Sequence, residues 1–265
     1  MNPLLFLIAF AVAAEPTLKP EDGPANYGLC LDTARAYPTQ GLELAERWIG
    51  LGGGEPARHC KGVALFGLHK YADAARELEI IGVNSQRSNA IRASLLAQAG
   101  QAYMLAGDPA HARETQTAAL KLLPPASSAT VPLLVDRALS FAEGKLYKDA
   151  IIDLTAALAI DPRNADALAY RANAERETAQ LDAAEKDAQA AVEIDATNLT
   201  ALLERGIVAR LKDRNLEAKA DWEKVIALAP ESAEATAARG HLERIDVGAE
   251  PEKKAQPVKV PKKKR

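Results

Sequence analysis

The sequence repeats itself with a period of 34 residues: VPLLVDRALSFAEGKLYKDAIIDLTAALAIDPRN at 131–164 is followed by ADALAYRANAERETAQLDAAEKDAQAAVEIDATN at 165–198 and LTALLERGIVARLKDRNLEAKADWEKVIALAPES at 199–232. The three stretches align without a gap. Self-similarity at a fixed period is the signature of repeat architectures, in which each repeat is one supersecondary unit. We therefore expect each stretch to bury its apolar face against its neighbours in a stack.

The composition favours helices as the units of this stack. Hydrophobic residues make up 48% of the chain, but aromatic residues only 5%, and alanine is abundant. Alanine is the best helix former, whereas sheets favour β-branched and aromatic residues. The fold class predicted is therefore all-α. The net charge of −3 argues against a dedicated nucleic-acid binder, because such domains are usually basic.

These repeats resemble the tetratricopeptide repeat family, which implies two antiparallel helices per repeat, stacked in a right-handed superhelical α-solenoid. The family's eighth place is small, because the two helices touch there. The places that carry the resemblance are the eighth (Ala138, Ala172, Gly206), the twentieth (Ala150, Ala184, Ala218), the twenty-seventh (Ala157, Ala191, Val225) and the closing proline place (Pro162, Ala196, Pro230). Proline marks a boundary there, since it cannot continue a helix interior.

The resemblance implies about six hairpins and a C-terminal capping helix in a solenoid that spans residues 22–245. The predicted repeats are 22–54, 55–88, 93–126, 131–164, 165–198 and 199–232, and the cap is 233–245. Short insertions at 89–92 and 127–130 flank the third repeat. The first two repeats match the family pattern less closely than the other four.

An arginine and an aspartate recur together in the last three repeats. Each arginine precedes its aspartate by sixteen residues. The pairs are Arg137 with Asp153, Arg171 with Asp187, and Arg205 with Asp221. We interpret them as structural ion pairs, formed within a repeat or from one repeat to the next, for example between Asp153 and Arg171.

No catalytic, cofactor or metal site is predicted. The four histidines are His59, His69, His111 and His241, and none forms an H-x-x-x-H or H-E-x-x-H pair. His59 and Cys60 are neighbours, but adjacent helical residues point in different directions. The glycine-rich stretch at 50–54 lacks the G-K-[ST] of a phosphate-binding loop, so it is interpreted as a turn.

The family resemblance places a partner groove on the concave surface, which is lined by the first helix of each hairpin. The residues carried over to this groove are Gln98, Gln101, Met104, Asp136, Leu139, Glu143, Tyr170, Asn173, Arg176, Glu204, Ile207 and Arg210. Their amides suit the backbone of an extended peptide and their apolar groups suit its side chains. The alternative is that these are ordinary exposed residues. Ala169 and Thr200 stand where a carboxylate clamp needs lysines, so chaperone-tail binding is disfavoured.

The N-terminus resembles an export signal. Eleven apolar residues (LLFLIAFAVAA, 4–14) are too few to span a bilayer, which needs about 20. The run has signal-peptide length and ends in small residues, which predicts a signal peptide at 1–14, cleavage before Glu15 and a linker at 15–21. Cleavage after Ala13 fits nearly as well. The alternative is an uncleaved hydrophobic N-terminus that docks on the first repeat.

Cys30 and Cys60 are the only cysteines. In an exported chain they can form a disulfide, and the alternative is two unrelated buried thiols. The family alignment places both on first helices of adjacent repeats, toward the concave side. It thereby implies a bond that would join the least regular repeat to its neighbour.

The C-terminal segment 246–265 is predicted to be a disordered basic tail. From Val247 to Arg265 it carries seven Lys/Arg and two Glu, a balance of +5 that leaves −8 on the rest of the chain. Such a run can bind an anionic surface, and the alternative is that it only improves solubility.

Taken together, the sequence predicts a non-enzymatic periplasmic adaptor. It would bind a peptide or protein in its groove, without cofactor, specific nucleic acid or transmembrane span. The alternative is a carrier or sensor for a small ligand or polysaccharide fragment.

Overall fold

The computed structural model describes residues 23–248, which fold into thirteen α-helices without a strand in that range. The helices are α1 (Gly23–Ala36), α2 (Pro38–Gly50), α3 (Gly54–Gly67), α4 (Tyr71–Asn84), α5 (Asn89–Leu105), α6 (Pro109–Lys121), α7 (Thr130–Glu143), α8 (Tyr147–Ile160), α9 (Ala165–Glu177), α10 (Leu181–Ile194), α11 (Leu199–Leu211), α12 (Asn215–Leu228) and α13 (Ala233–Gly248). The all-α prediction is confirmed for these residues. The predicted signal peptide and linker (1–21) lie outside them, as does most of the predicted tail.

The helices form two compact units. The first ends at Asp108 and contains α1 to α5, and the second begins at Pro109 and contains α6 to α13. Within each unit every helix packs against the next one along the chain. The pairs α7/α8, α9/α10 and α11/α12 are the three hairpins that the 34-residue period predicts.

The repeat ends are fixed by local capping and turn chemistry. Asn164 and Asn198 cap α9 and α11, and each side-chain oxygen accepts a 2.9 Å hydrogen bond from a backbone N–H three residues later. Inside the hairpins, one turn residue has positive φ, for example Lys145 (φ 58°), Ala179 (φ 61°) and Asp213 (φ 60°). This left-handed residue reverses the chain between the two helices.

The small residues of the eighth place lie where the two helices of a hairpin meet. Ala138 and Ala172 are almost completely buried. Gly206 faces Trp222 of the partner helix, and a Cβ at this glycine would lie only 2.4 Å from the indole Nε1. This contact explains why the place must be small.

The recurring arginines pair within their own repeats. Arg137 donates two hydrogen bonds of 2.7 Å to Asp153, through Nε and Nη2. Its Nη1 reaches back to Thr117 on the preceding second helix at 3.0 Å. Arg171 and Arg205 repeat this pattern, with Thr155 at 3.2 Å and Gln189 at 2.9 Å as their partners on the preceding hairpin. The arginines therefore join both helices of one hairpin and also join that hairpin to the one before it.

Two boundaries differ from the sequence-based expectation. Residues 89–92, expected as an insertion, form the first turn of α5, where Arg92 donates to the carbonyl oxygen of Gly82 at 3.2 Å. Residues 246–248, expected as the start of the tail, are the last residues of α13. In both cases the helix extends beyond the family's repeat pattern.

Candidate partner-binding surface

The first helices of the hairpins form one layer in each unit. In the second unit α9 lies against α7 and α11, and α11 lies against α13, whereas the second helices approach one another much less closely. In the first unit α1 likewise lies against α3. We call the outward surface of this layer the inner surface, because the closer spacing puts the first helices on the inside of the curve.

The predicted groove residues divide between the two units. Gln98, Gln101 and Met104 lie on α5 of the first unit. The nine in the second unit are Asp136, Leu139 and Glu143 on α7, Tyr170, Asn173 and Arg176 on α9, and Glu204, Ile207 and Arg210 on α11. Gln101, Glu143 and Arg210 are exposed, and Glu204 is buried.

Three of the predicted groove residues form hydrogen bonds with one another. Asn173 Nδ2 donates to Glu204 Oε1 at 2.8 Å, and Arg176 Nε donates to Glu204 Oε2 at 2.7 Å. The Glu204 side chain is only 6% exposed and that of Arg176 only 16%. This cluster joins α9 to α11, so in this structure it strengthens the stack and does not present free groups to a partner.

The remaining side chains leave an accessible mixed surface on the second unit. Leu139, Tyr170 and Ile207 are half-buried on three consecutive first helices. Burial raises the pKa of Tyr170 above its usual value, and the nearby carboxylates of Asp166 and Glu234 raise it further. The phenol is therefore neutral over the physiological range and acts as an apolar ring with one polar end.

The first unit contains a cavity that the sequence analysis did not predict. Tyr27 on α1, His59 on α3 and Gln98 on α5 line it and are joined in one hydrogen-bonded chain. Tyr27 Oη lies 2.6 Å from His59 Nδ1, and His59 Nε2 lies 3.1 Å from Gln98 Oε1. Of the three, only Gln98 had been assigned to the groove.

A disulfide joins Cys30 of α1 to Cys60 of α3, with their Cα atoms 6.0 Å apart. Both cysteines are completely buried, so the bond lies beneath the surface. Tyr27 and His59 are on the same two helices, within three residues of the cysteines. The disulfide therefore fixes the two helices that carry this part of the cavity wall.

Residues 23–248 contain no group of three His, Cys, Asp or Glu side chains close enough together to hold a metal ion. In the same range, no helix is both long enough and apolar enough for a membrane crossing.

Comparison with solved structures identifies the fold. A structure of MamA from Desulfovibrio magneticus RS-1, from residue 41 to its end, covers 68% of this chain and 97% of its own, with 21% identity and a TM-score of 0.56. A further MamA structure covers 69% of this chain and 96% of its own, with 17% identity and a TM-score of 0.54. YrrB, described as a tetratricopeptide-repeat protein with an unusual peptide-binding site, covers 69% of this chain and 91% of its own, with 17% identity and a TM-score of 0.50.

No protein-family model and no curated protein matches the chain. At these identities the structural likenesses establish the fold alone. The chain therefore has the tetratricopeptide-repeat fold.

Proposed function

We propose that this protein is a non-enzymatic adaptor of the bacterial cell envelope that binds a peptide or protein segment on the inner surface of its helical hairpins. The observation that carries the proposal is the accessible surface of the second unit. There Leu139, Tyr170 and Ile207 place apolar groups on three consecutive helices, beside the exposed charges of Glu143 and Arg210. Apolar anchors with a polar surround are typical of protein-binding surfaces.

The fold supports an interaction role. Stacked helical repeats create extended concave surfaces, and repeat proteins use these surfaces to bind partners. YrrB, which shares the fold, is described as having a peptide-binding site. Peptide binding by this chain remains a proposal that rests on its own surface residues.

Two observations support export to the periplasm. The disulfide between Cys30 and Cys60 is of a kind that persists in oxidising compartments. The apolar run at 4–14 has the length and the small-residue ending of a signal peptide. Mass spectrometry of the native protein tests this part directly, and an intact Met1 N-terminus would contradict it.

The adaptor proposal is tested by crosslinking in native cells, affinity purification and mass spectrometry. The variant combines Tyr170→Ala, Ile207→Ala and Arg210→Glu, which removes accessible groups without touching the cluster around Glu204. We expect one specific protein to be enriched with the native chain and lost with this variant.

A matched control changes apolar residues of the outer helices. Ile152 on α8 is 64% exposed and Leu216 on α12 is 86% exposed. The variant Ile152→Ala/Leu216→Ala should retain the partner. If the two variants lose the partner equally, or if the native chain enriches no protein, the proposed surface is wrong. The carrier alternative would then be tested by screening small ligands and polysaccharide fragments for a rise in melting temperature.

A further inference from the structure

We propose that the cavity of the first unit is a pocket for one bulky, uncharged apolar side chain of a bound peptide, whose backbone pairs with Ser94 and Gln98. This inference rests on the proposed function, because it names the chemistry that the inner surface of the first unit would recognise. It concerns a different unit from the surface around Tyr170, so the two can fail separately.

The cavity has the size of a ligand site. Its volume is about 550 Å³, within the range of about 300–1,000 Å³ that ligand pockets occupy. Three helices of the first unit line it, which are α1, α3 and α5. It therefore lies on the same inner surface that the first helices present.

Within residues 23–248, part of the apolar wall is left exposed on its open side. Leu95 is 5% exposed and closes the cavity from the core side, while Ile91, one turn earlier on α5, is 41% exposed. Pro56 and the ring of Tyr27 complete the apolar lining. An apolar side chain of Leu or Phe size placed here would be removed from water, which favours binding.

The chain from Tyr27 through His59 to Gln98 gives the cavity a fixed and uncharged wall. Because Gln98 Oε1 can only accept, His59 Nε2 must donate to it, and Nδ1 then accepts from the Tyr27 hydroxyl. Burial lowers the pKa of His59, so the ring stays neutral near pH 7. Both ring nitrogens are occupied, which leaves no imidazole group for the ligand.

The charges at the cavity balance each other. Arg87 Nε lies 3.2 Å from Glu55 Oε1, and both residues line the cavity. With His59 neutral, the lining residues that the structure describes carry one positive and one negative charge, already paired. A charged ligand side chain would lose its hydration without meeting an unpaired opposite charge, which is unfavourable. This balance favours an uncharged occupant.

Two polar side chains are positioned to bind a peptide backbone. Ser94 and Gln98 are one helical turn apart and both line the cavity. Gln98 Nε2 donates two long hydrogen bonds to Ser94, of 3.3 Å to the carbonyl oxygen and 3.4 Å to Oγ. These weak bonds can be exchanged for bonds to a peptide C=O and N–H at small cost.

The test is a titration of the isotope-labelled full chain with short peptides, followed by amide chemical shifts. The probes are acetyl-Gly-Ser-X-Ser-Gly-amide, in which X is Leu, Phe, Glu or Lys. We expect the Leu and Phe peptides to shift the amide signals of Ile91, Ser94 and Gln98, with Kd values about tenfold lower than those of the Glu and Lys peptides, a difference of about 1.4 kcal/mol.

A matched pair of variants locates the binding. Ile91→Glu places a carboxylate at the cavity and should weaken binding of the Leu peptide at least about tenfold, for the same desolvation reason. Ile80→Glu is the control, because Ile80 is similarly exposed (48%) but lies on α4 outside the cavity. It should leave the Kd unchanged.

Three results would overturn the inference. The first is that the Glu and Lys peptides bind as tightly as the Leu and Phe peptides. The second is that Ile91→Glu and Ile80→Glu weaken binding equally. The third is that toluene or isobutanol alone binds as tightly as the peptides, because the peptide backbone would then contribute nothing. The titration measures binding by the first unit only. If it fails while a cellular partner still binds through Tyr170 and Ile207, the adaptor proposal stands. Conversely, peptide binding without a cellular partner would leave the pocket standing.

Discussion

Replacing Gly206 by alanine should destabilise the second unit, although alanine is the better helix former. The added Cβ would lie 2.4 Å from Trp222 Nε1 and 2.8 Å from Cδ1. Ordinary carbon contacts need about 3.5–4.0 Å, so the indole must move by roughly 1 Å. Trp222 is completely buried and stacks on His241 with a ring separation of 4.8 Å, so it has no free space to enter.

The net effect can be worked out from these contacts. Overpacking a core costs about 1–3 kcal/mol. Moving the indole also weakens its 3.3 Å hydrogen bond to the Leu203 carbonyl oxygen, which contributes about 1 kcal/mol. Alanine recovers about 0.8–1 kcal/mol of helix propensity. We expect a net loss of about 2 kcal/mol in the free energy of unfolding, which lowers Tm by roughly 4–8 °C for a unit of this size.

Gly240→Ala is the matched control. This glycine is also inside a helix of the second unit, but a Cβ there would meet only the end of the Arg244 side chain, at 3.6 Å. This variant should gain about 0.8–1 kcal/mol from helix propensity alone. Chemical and thermal denaturation of the full chain, followed by circular dichroism, measures both variants. If Gly206→Ala stabilises the protein as Gly240→Ala does, the packing argument is refuted.

Three further changes test other parts of the structure. Burial and the neighbouring Asp187 raise the pKa of Glu175 to about 7. Its protonated form therefore contributes stability that is complete below the unfolded pKa and is lost as pH rises through about 7. Glu175→Gln should stabilise the protein by up to about 3 kcal/mol at about pH 8 and by little near about pH 4, in pH-dependent urea melts. Cys30→Ala/Cys60→Ala should cost about 3–4 kcal/mol in the oxidised protein and nothing further on addition of a reductant, measured by denaturation with and without it. Ala179→Gly should raise the free energy of unfolding by about 1 kcal/mol, because a non-glycine residue at φ 61° is strained. An unchanged free energy of unfolding in a urea melt would contradict that.

The period of 34 residues predicted the hairpins because each place in the repeat has a constant packing role. The same reasoning placed Gly206 against a neighbouring helix and paired Arg171 with Asp187, sixteen residues later. It left open whether an arginine would pair within or between repeats. In the structure the arginine does both. Its guanidinium donates from Nε and Nη2 to the aspartate of the same repeat, and from Nη1 to Thr155 on the preceding hairpin.

Whether a side chain of the inner surface is exposed was harder to predict than which helix carries it. Asn173, Arg176 and Glu204 occupy places that face the groove in the family pattern, but side chains on neighbouring helices can bond to each other instead. That outcome depends on rotamers and distances between helices, which a repeat alignment does not contain. Whether these residues bind a partner therefore stays a prediction, although the structure shows them bonded to each other.

The cavity in the first unit was missed for a different reason. The first two repeats match the family pattern less closely than the other four, so their place assignments carried less weight. One signal was available, because Tyr27 and Gln98 both stand at the sixth place of their repeats, as Tyr170 does. His59 was considered only as a neighbour of Cys60, and its bonds to two other first helices became visible only in three dimensions.

The two units stabilise their stacking in different ways, and this difference bears on how the inner surface can vary. Arg137 reaches Thr117 twenty residues back, whereas Arg171 reaches Thr155 sixteen residues back. The difference of four equals the length of the insertion at 127–130. Residues 127–129 lie in the loop before α7 and Thr130 is the first residue of that helix. The insertion therefore lengthens the connection from α6 to α7, while the arginine–threonine contact is kept at 3.0 Å, against 3.2 Å in the next repeat.

In the first unit the corresponding arginine place holds Gly28, Lys61 and Ala99, so no such arginine series can form there. The disulfide between Cys30 and Cys60 instead joins the first helices of the first two repeats. A covalent bond beneath the surface in one unit, and arginine–aspartate pairs between the helices in the other, both hold the helices without using the outward side chains of the inner surface. The inner surface adds its own links between first helices, from Asn173 and Arg176 to Glu204 in one unit and from Tyr27 through His59 to Gln98 in the other. Inner-surface side chains outside these two clusters are therefore the ones that can vary with the partner.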